Sequence, residues 1–124
     1  MALLHAASGE RIALQRNDDD IAHFTSVALA KTAHMELIRL VLPKDRVMPE
    51  HKVEGELTLL CLSGEIAFVA HGRTTILHPG EMLYLAGGEP HAIRANHDAV
   101  GLLTILLVPA RHGERSNEPR GAPA

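Results

Sequence analysis

Tryptophan is absent, and 124 residues hold one tyrosine, two phenylalanines and one cysteine. So few aromatic rings exclude stacking platforms for nucleic-acid bases. The lone Cys61 excludes an intrachain disulfide and fits a reducing compartment. It lies inside "LTLLCL", where a thiol reads as a small buried hydrophobe rather than a nucleophile. Clusters of Lys or Arg are missing and the net charge is −3, which excludes a basic nucleic-acid-binding face. No apolar run approaches the length of a membrane span. The start, "MALLHAASGERIAL", lacks the basic and long apolar regions of a signal peptide, so a cytoplasmic location is expected.

What is present describes a globular chain: 46% of residues are hydrophobic and 22% charged, in a length that suits one core. Three regions are expected. Residues 1–23 form an N-terminal arm ending near "NDDD", residues 24–108 form the folded body, and residues 109–124 form a polar, flexible tail rich in Pro, Gly and Arg. Short apolar runs predict strands at about 24–30, 35–42, 47–53, 56–62, 65–70, 73–78, 82–86, 90–95 and 99–108. "SG" at Ser63–Gly64 and "HG" at His71–Gly72 are read as tight hairpins, and "HPGE", "AGGEP" and "RANHDA" as further turns. No helical period competes, so the fold class is all-β, a sandwich or barrel.

Side-chain parity adds a second expectation. Leu57, Leu59 and Cys61 share one face of their strand, and Thr58, Leu60 and Leu62 share the other. Both faces are mostly apolar, as in "ELIRLVL" and "GLLTILLV". A sheet with one wet face should alternate polar and apolar residues, so the outer face needs a cover. A second copy in a two-fold homodimer is the favoured cover, with the N-terminal arm as the alternative.

Nine histidines are the one compositional excess. His71 sits in a two-residue turn, a structural role for a residue that tolerates positive φ. His34, His78 and His97 are placed at turns, and His5, His23 and His112 on or near the termini. Tyr84 and Met48 are candidates to line an interior, a position that core packing explains equally well. No nucleophile–base pair stands out by spacing.

Two segments carry a family resemblance. "HKVEGELTLLCLSGE" sets His51 before an apolar strand with Gly64 after it, and "PGEMLYLAGGEPHAI" sets Gly80 ahead of Gly87, Gly88 and His91. Together, over residues 26–108, they resemble the two motifs of small single-domain bacterial cupins. The resemblance implies a double-stranded β-helix, the jelly-roll barrel that includes cupins. It also implies an interior site formed by His51, Val53, Leu57 and His91.

Metal-binding cupins carry two histidines and a carboxylate in the first motif and a histidine in the second. Here His51 and His91 fill the outer positions, while Val53 and Leu57 stand where lone pairs would be needed. The second motif also has Ala86 for proline and Ala95 for asparagine. Two histidines fall short of the three ligands of a catalytic zinc or the two-His, one-carboxylate set of mononuclear iron. A β-bulge at Gly55 would turn Glu56 inward and restore a carboxylate, whereas simple alternation keeps Leu57 inside.

The reading favoured by these replacements is a small-molecule-binding cupin whose pocket is anchored by His51 and His91, without metal. The alternative is a metal-dependent enzyme, dioxygenase- or isomerase-like, with one divalent transition metal on His51 and His91. A metal-free isomerase or lyase with a histidine base would need an orienting carboxylate that spacing does not reveal. A sensor role would need a separate DNA-binding partner. The residues leave open whether the chain is an enzyme, since one fold hosts many chemistries.

Overall fold

The computed structural model describes residues 5–14 and 26–108. Seven strands follow in order: β1 (Val27–Lys31), β2 (Met35–Leu42), β3 (Val47–His51), β4 (Leu57–Ala70), β5 (Arg73–Leu77), β6 (Met82–Leu85) and β7 (His91–Leu106). Every pairing is antiparallel. No helix among the described residues is long and apolar enough to cross a membrane. The fold is an all-β jelly roll.

Two long strands, β4 and β7, organise it by serving two sheets each. The first half of β4 pairs with β6 and with the second half of β7, which pairs in turn with β2, and β2 with β1. The second half of β4 pairs with β5 and with the first half of β7, which pairs with β3. The β4–β7 register shifts three times between Cys61 and Ile66, where both strands pass from one sheet to the other. Bulges of this kind turn the corners of two-sheet folds.

That corner corrects two expected turns. Ser63–Gly64 is not a hairpin, and "RANHDA" is not a turn; each lies inside a continuous strand, so nine expected strands become seven. Gly64 is needed there because its φ is +78° and a Cβ would collide with the Asp98 carbonyl oxygen. His97 accordingly lies within β7, not at a turn. The His71–Gly72 turn does reverse the chain, with φ of +54° and +74°, the double positive pair of a type I′ hairpin. The strand expected from residue 24 begins at Val27 among the described residues, and the tail at 109–124 lies outside them.

The core fills the space between the two sheets. Leu59, Cys61, Ile66, Phe68 and Ile93 are its largest fully buried side chains. Each such side chain contributes roughly 1.5–3 kcal/mol by leaving water. On the outer face, part of the N-terminal arm covers the β1–β2 margin. Ala6 N–H donates to the Leu29 carbonyl (2.9 Å), and Arg39 Nε donates to the Leu14 carbonyl (3.0 Å). Arg39 and Val41 are buried on β2.

Candidate functional site

His51 ends β3 and His91 begins β7, and the two are register partners. The pairing skips a residue between Met48 and His51, so His51 meets His91 across an irregular ladder. Their ring centroids lie 4.5 Å apart, with planes tilted by 55°. His91 is buried, at 3% exposure, while His51 is exposed. The pair thus runs from the interior to the surface at one end of the barrel.

Backbone carbonyls two residues upstream hold both rings. His51 Nδ1 lies 3.1 Å from the Pro49 carbonyl oxygen, and His91 Nδ1 lies 3.0 Å from that of Glu89. A carbonyl can only accept, so Nδ1 is the donor in each ring, and the neutral form of either imidazole would leave its lone pair on Nε2. Phe68, on β4, lies parallel to His91 with centroids 5.4 Å apart and planes within 6°. The stacked benzene ring limits rotation of the imidazole and leaves its edge for contacts.

Loops around the pair are cross-tied. Gly88 N–H donates to the Val53 carbonyl (2.8 Å), joining the β3–β4 loop to the β6–β7 loop. The Glu89 carboxylate faces His71 of the β4–β5 hairpin, 3.6 Å from its Nδ1, an ion pair when His71 is protonated. Val53 is half-buried against the core, and Leu57 belongs to the core at 3% exposure. Val53 and Leu57 thus present hydrocarbon, with no metal donor, to the core.

The bulged register that would bring Glu56 inside is not adopted. Glu56 is exposed and its Oε2 accepts a hydrogen bond from the Tyr84 hydroxyl at 2.7 Å. That bond to a carboxylate raises the pKa of Tyr84. Tyr84 is 60% exposed and does not line the interior, a correction of its expected place. Met48 is half-buried and packs on the core. Gly55 serves the backbone instead. A Cβ there would collide with the Leu106 carbonyl oxygen, so glycine permits the close approach of β7.

Glu89, Pro49 and Phe68 escaped the sequence reading as parts of this site. A carbonyl bond to a ring has no residue-type signature.

A second polar group lies at the β4 corner, about 16 Å along that strand from the register partner of His91. The Glu65 carboxylate accepts from Asn96 Nδ2 (2.8 Å) and faces His78 Nε2 (3.3 Å). Asn96 first, then His78 and His97, hold the Glu65 carboxyl below the usual range. The backbone N–H of His78 donates to Glu81 (2.9 Å) and holds that carboxyl down as well.

A family model described as "Cupin domain" matches residues 38–108, more than half of the chain. The chain belongs to the cupin family. Solved structures similar to this cupin support the same architecture. A cupin superfamily protein from Desulfitobacterium hafniense is 21% identical, with a TM-score of 0.66 over 68% of this chain and 77% of that one. An RmlC-like cupin from Desulfovibrio desulfuricans is 27% identical, with a TM-score of 0.63 over 82% of this chain and 97% of that one. A predicted oxalate decarboxylase from Thermotoga maritima is 26% identical, with a TM-score of 0.60 over 67% and 79%. No curated protein matches.

Proposed function

We propose that this cupin binds a small molecule through His51 and His91, and that its ligand is a hydrogen-bond donor on an apolar body. The observation that carries this reading is the ring pair at 4.5 Å with both Nδ1 atoms engaged by carbonyls. In their neutral form two imidazoles held so offer two Nε2 acceptors. A hydroxyl or amine can donate to them. A bare carboxylate, which only accepts, would meet lone pairs with lone pairs. Phe68, stacked on His91, supplies an apolar surface of the kind typical of small-molecule sites.

The cupin fold also implies a metal ion here, and the donor set does not fit one. Among the described residues no group of three or more His, Cys, Asp or Glu side chains could hold a metal. Two imidazoles leave a zinc or iron site short of a protein ligand.

A test is a titration of the 15N-labelled chain with a panel of small aliphatic and aromatic alcohols, amines and carboxylates, reading the imidazole nitrogens by NMR. Alcohols or amines should shift both Nε2 resonances, and the His51→Ala/His91→Ala double variant should bind none of them. Binding of carboxylates alone, or binding that persists in the double variant, would overturn the reading. One metal ion per chain, retained through dialysis after purification without chelators, would replace it with a metal centre.

A further inference from the structure

We propose that Arg73 is an anion anchor for the His51–His91 site, and that the ligand carries a carboxylate or phosphate besides its donating hydroxyl or amine. The proposal rests on the reading of the two imidazoles as acceptors and goes beyond it by naming the other end of the ligand. Strand register carries it. One row across the β3-β7-β4-β5 sheet runs His51, His91, Ala70, Arg73. Directly opposed residues of an antiparallel pair project to the same face. The next row on that face runs Met48, Ile93, Phe68, Thr75, and a further one joins Ala95, Ile66 and Leu77. Ile93, Phe68, Ala95, Ile66 and Leu77 are all buried, so this face looks into the barrel.

Arg73 therefore stands in line with the two rings, two strands from His91. At the usual strand spacing its backbone is about 10 Å from that of His91. Ala70, between them, contributes only a methyl group, so no long side chain of the row bars the arginine from reaching back toward the rings. Thr75, two residues along β5 on the same face, adds a hydroxyl. A guanidinium is a planar fork of donors that meets a carboxylate or phosphate with two bonds. It complements the imidazoles, whose Nε2 atoms in the neutral form accept and do not serve an anion.

Arg73 is also unengaged. The other arginines of the described strands are bonded: Arg39 Nε donates to the Leu14 carbonyl, and Arg94 Nε to Asn96 Oδ1 at 3.4 Å. Arg73 is exposed and makes no hydrogen bond or ion pair among the described residues. Glu89, whose carboxylate reaches this hairpin, faces His71 instead. An arginine that served only solvation would be as well placed on the other face of β5, with Thr74 and Ile76. This one takes the face that the histidines share.

The test is a calorimetric titration of the full chain with 1-butanol, 4-hydroxybutanoate and 4-hydroxybutyl phosphate, and with their three- and six-carbon homologues. At the best length an acid should bind about tenfold or more tighter than the alcohol of equal length, and the tighter of the two acids names the anion. Arg73→Gln should abolish that preference and leave the affinity for alcohols unchanged, while Arg73→Lys should keep part of it. Arg94→Gln, on the outer face of the same sheet, should keep it in full. Equal binding of alcohols and acids, a preference that survives Arg73→Gln, or one that Arg94→Gln also removes, would overturn the proposal and leave the imidazole reading standing. Binding of no member of the series would overturn both.

Discussion

His51 and His91 face each other across β3 and β7 with ring centroids 4.5 Å apart, one exposed and the other buried. Their identical anchoring hides an energetic asymmetry. His91→Ala removes a ring stacked on Phe68 and leaves a void in the interior, at a cost of about 2–4 kcal/mol. His51→Ala removes an exposed ring and should cost about 0.5–1 kcal/mol. Urea unfolding of the two variants checks the difference; equal losses would mean that the stacking on Phe68 contributes nothing.

The glycines at Gly64 and Gly72 separate backbone strain from steric collision. Both have positive φ, at +78° and +74°. A Cβ at Gly72 meets nothing within 4 Å, whereas one at Gly64 collides with Asp98 across the corner. Gly72→Ala should therefore cost about 1 kcal/mol, from the left-handed conformation alone. Gly64→Ala should cost about 3 kcal/mol or more, because the β4–β7 corner must also open. Thermal or chemical denaturation of the pair gives the comparison directly.

Acid should remove stability at the β4 corner. The Glu65 and Glu81 carboxyls are held below their usual range, chiefly by Asn96 and by the His78 backbone N–H respectively. The unfolded chain then takes up protons before the folded one does. The stability these groups contribute is fully present above the unfolded value, about 4.3, and is lost as pH falls through the lower folded values. Asn96→Ala should raise the Glu65 carboxyl toward that value and flatten the fall in melting temperature below about pH 4.3. Carboxyl chemical shifts followed through the titration would show the rise; an unchanged Glu65 titration would remove Asn96 as its cause.

Cys61 should be inert while the chain is folded. Burial pushes its thiol pKa up, and the residue has no exposed surface. The thiolate is the reactive form, so a thiol reagent at neutral pH should label the native chain slowly and the urea-unfolded chain at once. Rapid labelling under native conditions would reveal an opening of β4 that the packed core does not suggest.

Much of the architecture was legible because local chemistry carried it. The apolar runs bounded by Gly and Pro read as strands, and His71–Gly72 read as a hairpin because that pair accepts two positive φ values where most residues resist them. The strict alternation around Leu57 placed Glu56 outside, where it meets Tyr84. Ser63–Gly64 misled because a small polar residue before glycine between two apolar runs fits both a reversal and a bend. The choice between them rests on Asp98 and Ala99 of β7, far along the chain, against which Gly64 packs.

By itself the sequence determined the β class and the apolar character of both faces of the strand around Leu57, since each is a property of residue type and alternation, while the want of donors at Val53 and Leu57 was what the cupin resemblance implied. Only the tertiary structure decided that β4 and β7 bend across two sheets, that Phe68 backs His91, and that His51 meets His91 across β3 and β7. These depend on which backbone lies opposite which side chain. Such proximity is set by the pairing of strands distant along the chain, and no single stretch of residues encodes it.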